Sequence, residues 1–358
     1  MGVENSKNYN LIDVLKFVFS ILIIAIHTNP LSDITDFGNF VVVDILARIA
    51  VPFFFVISSY FLFRTMQPDK LDLVKIKKYI KYTFLVYCTW YLIYSPGIIL
   101  SAFESKHGLV IALLHRISVF VFEGFFHLWF LNALIVATII VSICLYYKCP
   151  IKWIILIGLI GYGVMLAGTS YKEIYDSLQN KVQYISQTVH YISYIFPTPR
   201  NAFGEGILWV SIGAFIAFRR TVLLSRSTNF LLLALGLSII GLFIEALGLK
   251  YVLGIMTAPP DAYISLIPLT FFGVLLVLKL NLTDHNIYLT FRQMSMLIYY
   301  SHIFWLLWIQ YLASIFYANL LSWELFILTS TFSILFAICV MKLKNKTQWN
   351  WISYLGLH

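Results

Sequence analysis

Of the 358 residues in this chain, 60% are hydrophobic and only 11% are charged, and the mean hydropathy is +0.85. In soluble domains about a quarter of the residues are charged. The composition of this chain therefore excludes a soluble domain and indicates a polytopic membrane protein. The net charge is +9, but the basic residues lie in short runs between apolar segments, where signals for membrane orientation are found. Nucleic acid is therefore not an expected partner.

A helix needs about 20 residues to cross a bilayer, and ten apolar segments have roughly this length. A shorter one, 108–126, is interrupted by charged residues and is expected to be re-entrant or interfacial. The sequence thus predicts an all-α polytopic membrane helical bundle with about ten transmembrane helices and one short re-entrant or interfacial helix, which forms a single domain over 1–358. The predicted crossings are 11–28, 40–63, 82–101, 128–147, 151–169, 202–218, 229–248, 263–279, 295–315 and 324–341.

The first segment carries a polar stripe. Asp13, Lys16, Ser20 and His27 are 3, 4 and 7 residues apart, so in a helix they share one face. Ionisable groups at bilayer depth are costly and indicate a functional site, although Lys16 could instead snorkel to the headgroups while His27 ends the helix. Asp13 and Lys16 also interrupt the apolar run, so we expect a retained helix and not a cleaved signal peptide.

Lysine and arginine are concentrated in alternate loops, which by the positive-inside rule predicts cytoplasmic N- and C-termini. The stretch 170–201 would then be an ordered outer loop or lid. The same orientation places His27, His127 and Arg200 near outer helix ends, where they could share one site. The predicted cytoplasmic cations are Arg64, Lys70, Lys75, Lys77, Lys78, Lys81, Lys148, Lys152, Arg219, Arg220, Arg226, Lys279, Arg292, Lys342, Lys344 and Lys346.

The second segment contains Asp44 and Arg48 at positions i and i+4. An ion pair within the helix would lower the cost of burying both charges. Two roles remain open for Arg48: stabilising negative charge at a reaction centre near His27, or holding the helices in register through a structural pair.

Polar residues in the later segments have competing interpretations. His127 precedes Trp129 and could belong to a site or to an interfacial aromatic belt. His302 lies within the 295–315 segment, where it could bind substrate or pack in the core. Arg200, Asn201 and Glu205 open another crossing and form either a polar site or an ordinary helix start.

The run from Lys75 to Lys81 could meet coenzyme A phosphates, but orientation signalling already explains it. The four cysteines, which form no CxxC, indicate neither a metal site nor a disulfide framework; they are Cys88, Cys144, Cys149 and Cys339.

Five stretches resemble the integral-membrane acyltransferase family 3. That family has Arg, ten residues and His in its first helix, and here Lys16 and His27 have this spacing, with Lys in place of Arg. The stretch from Arg48 to Tyr60, RIAVPFFFVISSY, resembles the family's second helix, with Ser59 in place of Gly. HLWFL from His127, Arg200-Asn201 and IYYSH ending at His302 resemble later landmarks. The likeness is greatest to members that acetylate sugars and to the membrane part of serine-racemase resistance proteins.

The resemblance implies an enzyme of the bacterial plasma membrane that transfers an acyl group, most often acetyl, from cytosolic acyl-coenzyme A to a hydroxyl of an extracytoplasmic or lipid-linked carbohydrate, such as a cell-envelope polysaccharide. Acetyl-coenzyme A is then a co-substrate, with no bound cofactor or metal. His27 is expected to act as general base, with Arg48 and Arg200 stabilising the oxyanion or holding the acceptor. Substrate contacts are expected from Asp13, Lys16, Ser20, His127, Asn201, Glu205 and His302.

Two alternatives remain open at this stage. A transporter or flippase for a glycan or lipid precursor would use the same buried charges as a conduit. An acyltransferase acting on an amine or on a small amino-acid-like acceptor would need the same catalytic groups. The spacing of the polar residues does not separate these functions.

Overall fold

The computed structural model describes residues 9–103, 120, 124, 126–179, 201–254, 260–347 and 349–357. Within these ranges the regular structure is helical and no β-strand is present. The prediction of an all-α fold is confirmed. The helices of eight or more residues are α1 Asn10–Thr28, α2 Asp36–Phe63, α3 Leu73–Phe103, α4 Phe126–Tyr146, α5 Ile151–Gly168, α6 Lys172–Gln179, α7 Ala202–Phe218, α8 Thr228–Val252, α9 Leu266–Lys279, α10 Asn286–Ile315 and α11 Ser322–Lys346.

Each of the ten predicted crossings coincides with one of these helices. In the described part of the chain, 7 helices are long and apolar enough to span a membrane, namely α1, α2, α4, α5, α8, α10 and α11. Helices α7 and α9 are apolar but shorter. The chain is thus a helical membrane protein, while a count of about ten crossings stays a prediction. Most of 108–126 lies outside the described residues.

Local sequence explains how α1 ends. Asn29 follows the last helical residue with φ of 49°, in the left-handed region, and its N–H donates to the Ala25 carbonyl. Asparagine tolerates this conformation, and Pro30 then cannot continue the helix. The helix therefore stops just after His27, which lies in its last turn.

The chain divides into two compact units, each built from separated stretches. The first contains Met1–Ala50, Leu224–Leu235 and Phe272–His358, and the second contains Val51–Leu223 and Gly236–Phe271. The organisation as a single domain stays a prediction.

In the first unit, α1 packs against α10 and α11, and α10 packs against α11. Phe17 stacks on Phe291 with ring centroids 4.8 Å apart. Near the start of α1, the Asn10 side-chain amide donates to the Asp284 carboxylate at 2.7 Å. These contacts fix the register of α1 on α10, which decides where their polar side chains meet.

In the second unit, α7 packs closely against α5 and α4. A Cβ at Gly158 would lie 2.7 Å from the Leu208 Cα, and one at Gly206 would lie 2.8 Å from the Ala137 Cβ. Small residues let membrane helices approach in this way, so that dispersion contacts stabilise the pair. A larger side chain at either glycine would push the helices apart.

A partly buried polar junction joins three segments of the second unit around Glu245 in α8. The Glu245 carboxylate accepts from the backbone N–H groups of Ile264 at 2.7 Å and Ser265 at 2.8 Å, and from the Tyr171 hydroxyl. Burial, and then the bond to Glu245, raise the pKa of Tyr171 well above its usual range. Because Ile264 and Ser265 precede α9, Glu245 caps the start of that helix.

Candidate active site

Two histidines meet between α1 and α10 of the first unit. The ring centroids of His27 and His302 are 5.3 Å apart and the rings are tilted by 36°. His27 is half-buried in the last turn of α1, whereas His302 is fully buried within α10. The packing of α1 along α10 therefore brings together two residues that are far apart in the sequence.

The hydrogen-bond surroundings of His302 select the tautomer of its neutral ring. Its Nδ1 lies 2.7 Å from the Tyr299 carbonyl oxygen and 3.3 Å from that of Ile298. A carbonyl oxygen only accepts hydrogen bonds, so in the neutral ring Nδ1 carries the proton and Nε2 carries the lone pair. His302 thus offers an acceptor atom inside the bundle.

Asp13 and Arg292 form a bidentate ion pair between α1 and α10. Arg292 Nε lies 2.9 Å from Asp13 Oδ1, and Nη2 lies 2.7 Å from Oδ2. Asp13 is buried and the Arg292 side chain is 46% exposed. Lys16, one turn along α1, interacts electrostatically with both. Both oxygens of Asp13 are thus already bound by protein, and its role in substrate binding stays a prediction.

Ser20 lies on α1 between these two clusters and is fully buried. Its hydroxyl donates to the Phe17 carbonyl at 2.7 Å. This bond satisfies the hydroxyl donor within its own helix, although the oxygen can still accept. A contact between Ser20 and substrate stays a prediction.

The expected pair of Asp44 and Arg48 is present. Arg48 Nη2 lies 3.3 Å from Asp44 Oδ1, and both side chains are largely buried. Asp44 lies in a π-helical segment, Phe40–Leu46, and Arg48 in the 3₁₀ turn that follows, Ala47–Ile49. Such irregular turns within helices are frequent at functional sites. Helix α1 packs against this segment, and the catalytic role of Arg48 stays a prediction.

The remaining predicted residues belong to the second unit or are not described. His127 is buried, with its ring edge-on to Tyr94 at 5.5 Å. The Asn201 side-chain oxygen accepts from the N–H groups of Phe203 and Gly204 and so caps α7, as an ordinary helix start requires. Glu205 is buried in the first turn of α7. Arg200 lies outside the described residues, and a site shared by His27, His127 and Arg200 stays a prediction.

Sequence reasoning did not single out several buried hydroxyl groups on α10 and α11. In the described part of the structure, Ser301, Thr329 and Ser333 are buried and their hydroxyl oxygens have no hydrogen-bond partner. The spacing of four residues between Thr329 and Ser333 in an apolar helix was the available signal. No group of three or more potential metal ligands occurs among the described residues.

A protein-family model described as an acyltransferase domain, that of acyltransferase family 3, matches residues 9–356. The chain belongs to this family. Membership agrees with the stretches around His27, Arg48 and His302 and supports a membrane acyltransferase.

Among curated proteins, the acyltransferase-family chain is similar to racemases of enterococci. It is 34% identical over 179 residues to an amino-acid racemase of Enterococcus faecalis, covering 49% of this chain and 24% of that protein. It is 25% identical over 353 residues to a serine/alanine racemase of Enterococcus gallinarum, covering 94% of this chain and 46% of that protein. The chain thus spans less than half the length of these relatives. No solved structure matches it significantly.

Proposed function

We propose that this acyltransferase-family protein moves an acetyl group from cytosolic acetyl-coenzyme A to a hydroxyl of an extracytoplasmic or lipid-linked carbohydrate. The observation that carries the proposal is the pairing of His27 with His302 at 5.3 Å between two packed helices. An imidazole base within such a pair supplies the proton transfer that ester formation needs.

In the proposed reaction, His27 takes the proton of the acceptor hydroxyl as the hydroxyl oxygen attacks the thioester carbonyl. The new C–O bond forms, the C–S bond breaks, and the coenzyme A thiolate leaves with the proton that His27 returns. Imidazole suits both steps because it titrates near neutral pH. No oxidant, reductant or metal is needed for this balance.

Arg48 is proposed to stabilise the negative charge that develops on the thioester oxygen. Its pair with Asp44 holds the guanidinium in place beside the segment that packs on α1. A positioned cation in a site with little water stabilises such charge strongly. Arg200 is proposed to assist or to hold the acceptor.

Lys16 is proposed to meet an anionic part of the donor. It lies 11 residues before His27, which is about 16 Å along a helix axis, and so on the predicted cytoplasmic side of the histidine pair. Arg292 lies in the same electrostatic cluster and is half-exposed. With Asp13, the cluster holds two cations against one carboxylate, which favours a phosphate-bearing donor.

The buried hydroxyls favour an acceptor that carries hydroxyl groups. Leaving a buried polar group unpaired costs about 1–3 kcal/mol, and Ser301, Thr329 and Ser333 lie in the unit that contains both histidines. A hydroxylated acceptor could pair with them. Asn201, Glu205 and His127 are further proposed contacts with the acceptor.

A second candidate is acyl transfer to an amine or to a small amino acid such as serine. It is favoured by the similarity, over 94% of this chain, to a protein named serine/alanine racemase. The chemistry at His27 would be the same, with an amine in place of the hydroxyl. Transport or flipping of a precursor without bond making is the third possibility.

One experiment separates these functions. The purified protein is reconstituted in liposomes and supplied with acetyl-coenzyme A labelled in the acetyl group, together with glycans, lipid-linked glycans or serine. Label released from a glycan by hydroxylamine indicates an O-ester and supports the proposal, whereas stable label on serine indicates an amide. Movement of an acceptor across the bilayer with no incorporated label would indicate a transporter and refute the proposal.

A further inference from the structure

The geometry of His302 points to a role other than the substrate contact expected from the sequence. Its ring lies beside that of His27, at a centroid distance that brings the ring edges into contact range. Its Nδ1 is directed at the Tyr299 carbonyl. The Nε2 atom is therefore the part of His302 that remains able to accept from another side chain.

We propose that His302 is a positioning residue for His27. In the reacting enzyme a small rotation of the His27 ring from its position in the structure lets one of its N–H groups donate a hydrogen bond to Nε2 of His302, so that the opposite nitrogen of His27 carries the lone pair and faces the acceptor hydroxyl. The inference rests on the proposed function, in which His27 is the base. A partner of this kind selects the tautomer of a catalytic histidine and stabilises the imidazolium that forms.

The bond from Nδ1 to the Tyr299 carbonyl is essential to this role. Without it, the ring of His302 could turn over or take the other tautomer, and Nε2 would become a donor. Full burial within α10 also holds the ring in place. The α10 backbone thus orients His302, and His302 orients His27.

A purely structural histidine would depend on a different atom. If His302 only packs and bonds the Tyr299 carbonyl, then Asn, whose amide donates from near the Nδ1 position, should replace it. If its role is to accept from His27, then Gln, whose amide oxygen reaches the Nε2 position, should replace it better than Asn. His302→Leu removes both the donor and the acceptor while keeping a side chain of similar volume.

The test compares these three variants with the parent in the acetyl-transfer assay. We expect His302→Asn and His302→Leu to lose about 10²-fold in kcat with little change in the KM of either substrate, and His302→Gln to lose less than about tenfold. His285→Gln, at an exposed histidine just before α10, is the matched control and should behave as the parent. A kcat for His302→Asn equal to that of His302→Gln or of the parent would overturn the proposal.

A second readout does not depend on turnover. Diethylpyrocarbonate modifies the unprotonated ring nitrogen of histidine, and peptide mass spectrometry of the purified protein gives its rate at His27. We expect slower modification of His27 in His302→Asn and His302→Leu than in the parent and His302→Gln. Equal rates in all four would overturn the pairing. If the parent transfers no acyl group, the proposed function fails, while this rate still decides whether His302 orients His27.

Discussion

Arg292 binds both carboxylate oxygens of Asp13, with Nε 2.9 Å from Oδ1 and Nη2 2.7 Å from Oδ2. The pair joins α1 to α10. It lies on the same two helices as His27 and His302, so it sets the register in which the two imidazoles meet. Its integrity should affect both stability and activity.

Breaking this pair should destabilise the protein. Arg292→Leu removes the bidentate partner of a buried carboxylate and should cost about 2 kcal/mol, less than for a fully buried pair because Arg292 is half-exposed. Thermal unfolding in detergent measures the change. The double variant Asp13→Leu with Arg292→Leu is the matched control and should be more stable than Arg292→Leu alone. If the changes in unfolding free energy of Asp13→Leu and Arg292→Leu, measured singly, add up to that of the double variant, Asp13 and Arg292 are not coupled.

The Glu245 junction should stabilise the second unit independently of catalysis. Glu245→Ala removes the acceptor of two backbone N–H groups and of the Tyr171 hydroxyl, and should cost about 2–3 kcal/mol. Tyr171→Phe removes one of these bonds and should cost about 1–2 kcal/mol. In the Glu245→Ala background, Tyr171→Phe should cost almost nothing, and an undiminished cost there would show that Tyr171 acts elsewhere.

Lys16 should affect the donor and not the acceptor. Lys16→Arg keeps the charge and restores the residue usual in the family, so activity should persist, whereas Lys16→Ala and Lys16→Met should raise the KM for acetyl-coenzyme A about tenfold with kcat little changed. Steady-state kinetics with each substrate varied in turn measure this split. An unchanged donor KM in Lys16→Ala would leave Lys16 as an anchor at the membrane surface.

The charge bias predicts which loops face the cytoplasm. In a background without the four native cysteines, a cysteine at Lys77 should be protected from an impermeant thiol reagent in intact cells, and one at Lys172 should react. Permeabilised cells provide the control, since both positions should then react. Reaction at Lys77 with protection at Lys172 would invert the topology.

Local patterns predicted the helices and one ion pair well, because both depend on neighbours in the sequence. Apolar length located ten helical segments, and the spacing of Asp44 and Arg48 predicted their contact. The helices α7 and α9 are shorter than a full crossing, so apolar composition alone did not decide how many segments span.

Contacts between distant segments were not predictable in the same way. Asp13 was identified as a buried charge that needs a partner, but nothing in the sequence selects Arg292 among the many cations. Likewise, a single sequence gives no pairing of helices, and so it gave His27 and His302 as separate candidates. The role of Glu245 depends on backbone N–H groups before α9, which have no sequence signature.

The central claim is that His27 is the general base of acyl transfer, and the direct measurement is kcat for labelled acetyl transfer by purified His27→Ala beside the parent and His285→Ala. The loss of a general base should lower kcat by about 10²- to 10⁴-fold while the variant keeps the parent's thermal stability in detergent. His285→Ala should retain the parental rate. A folded His27→Ala protein that transfers acetyl at close to the parental rate would contradict the claim.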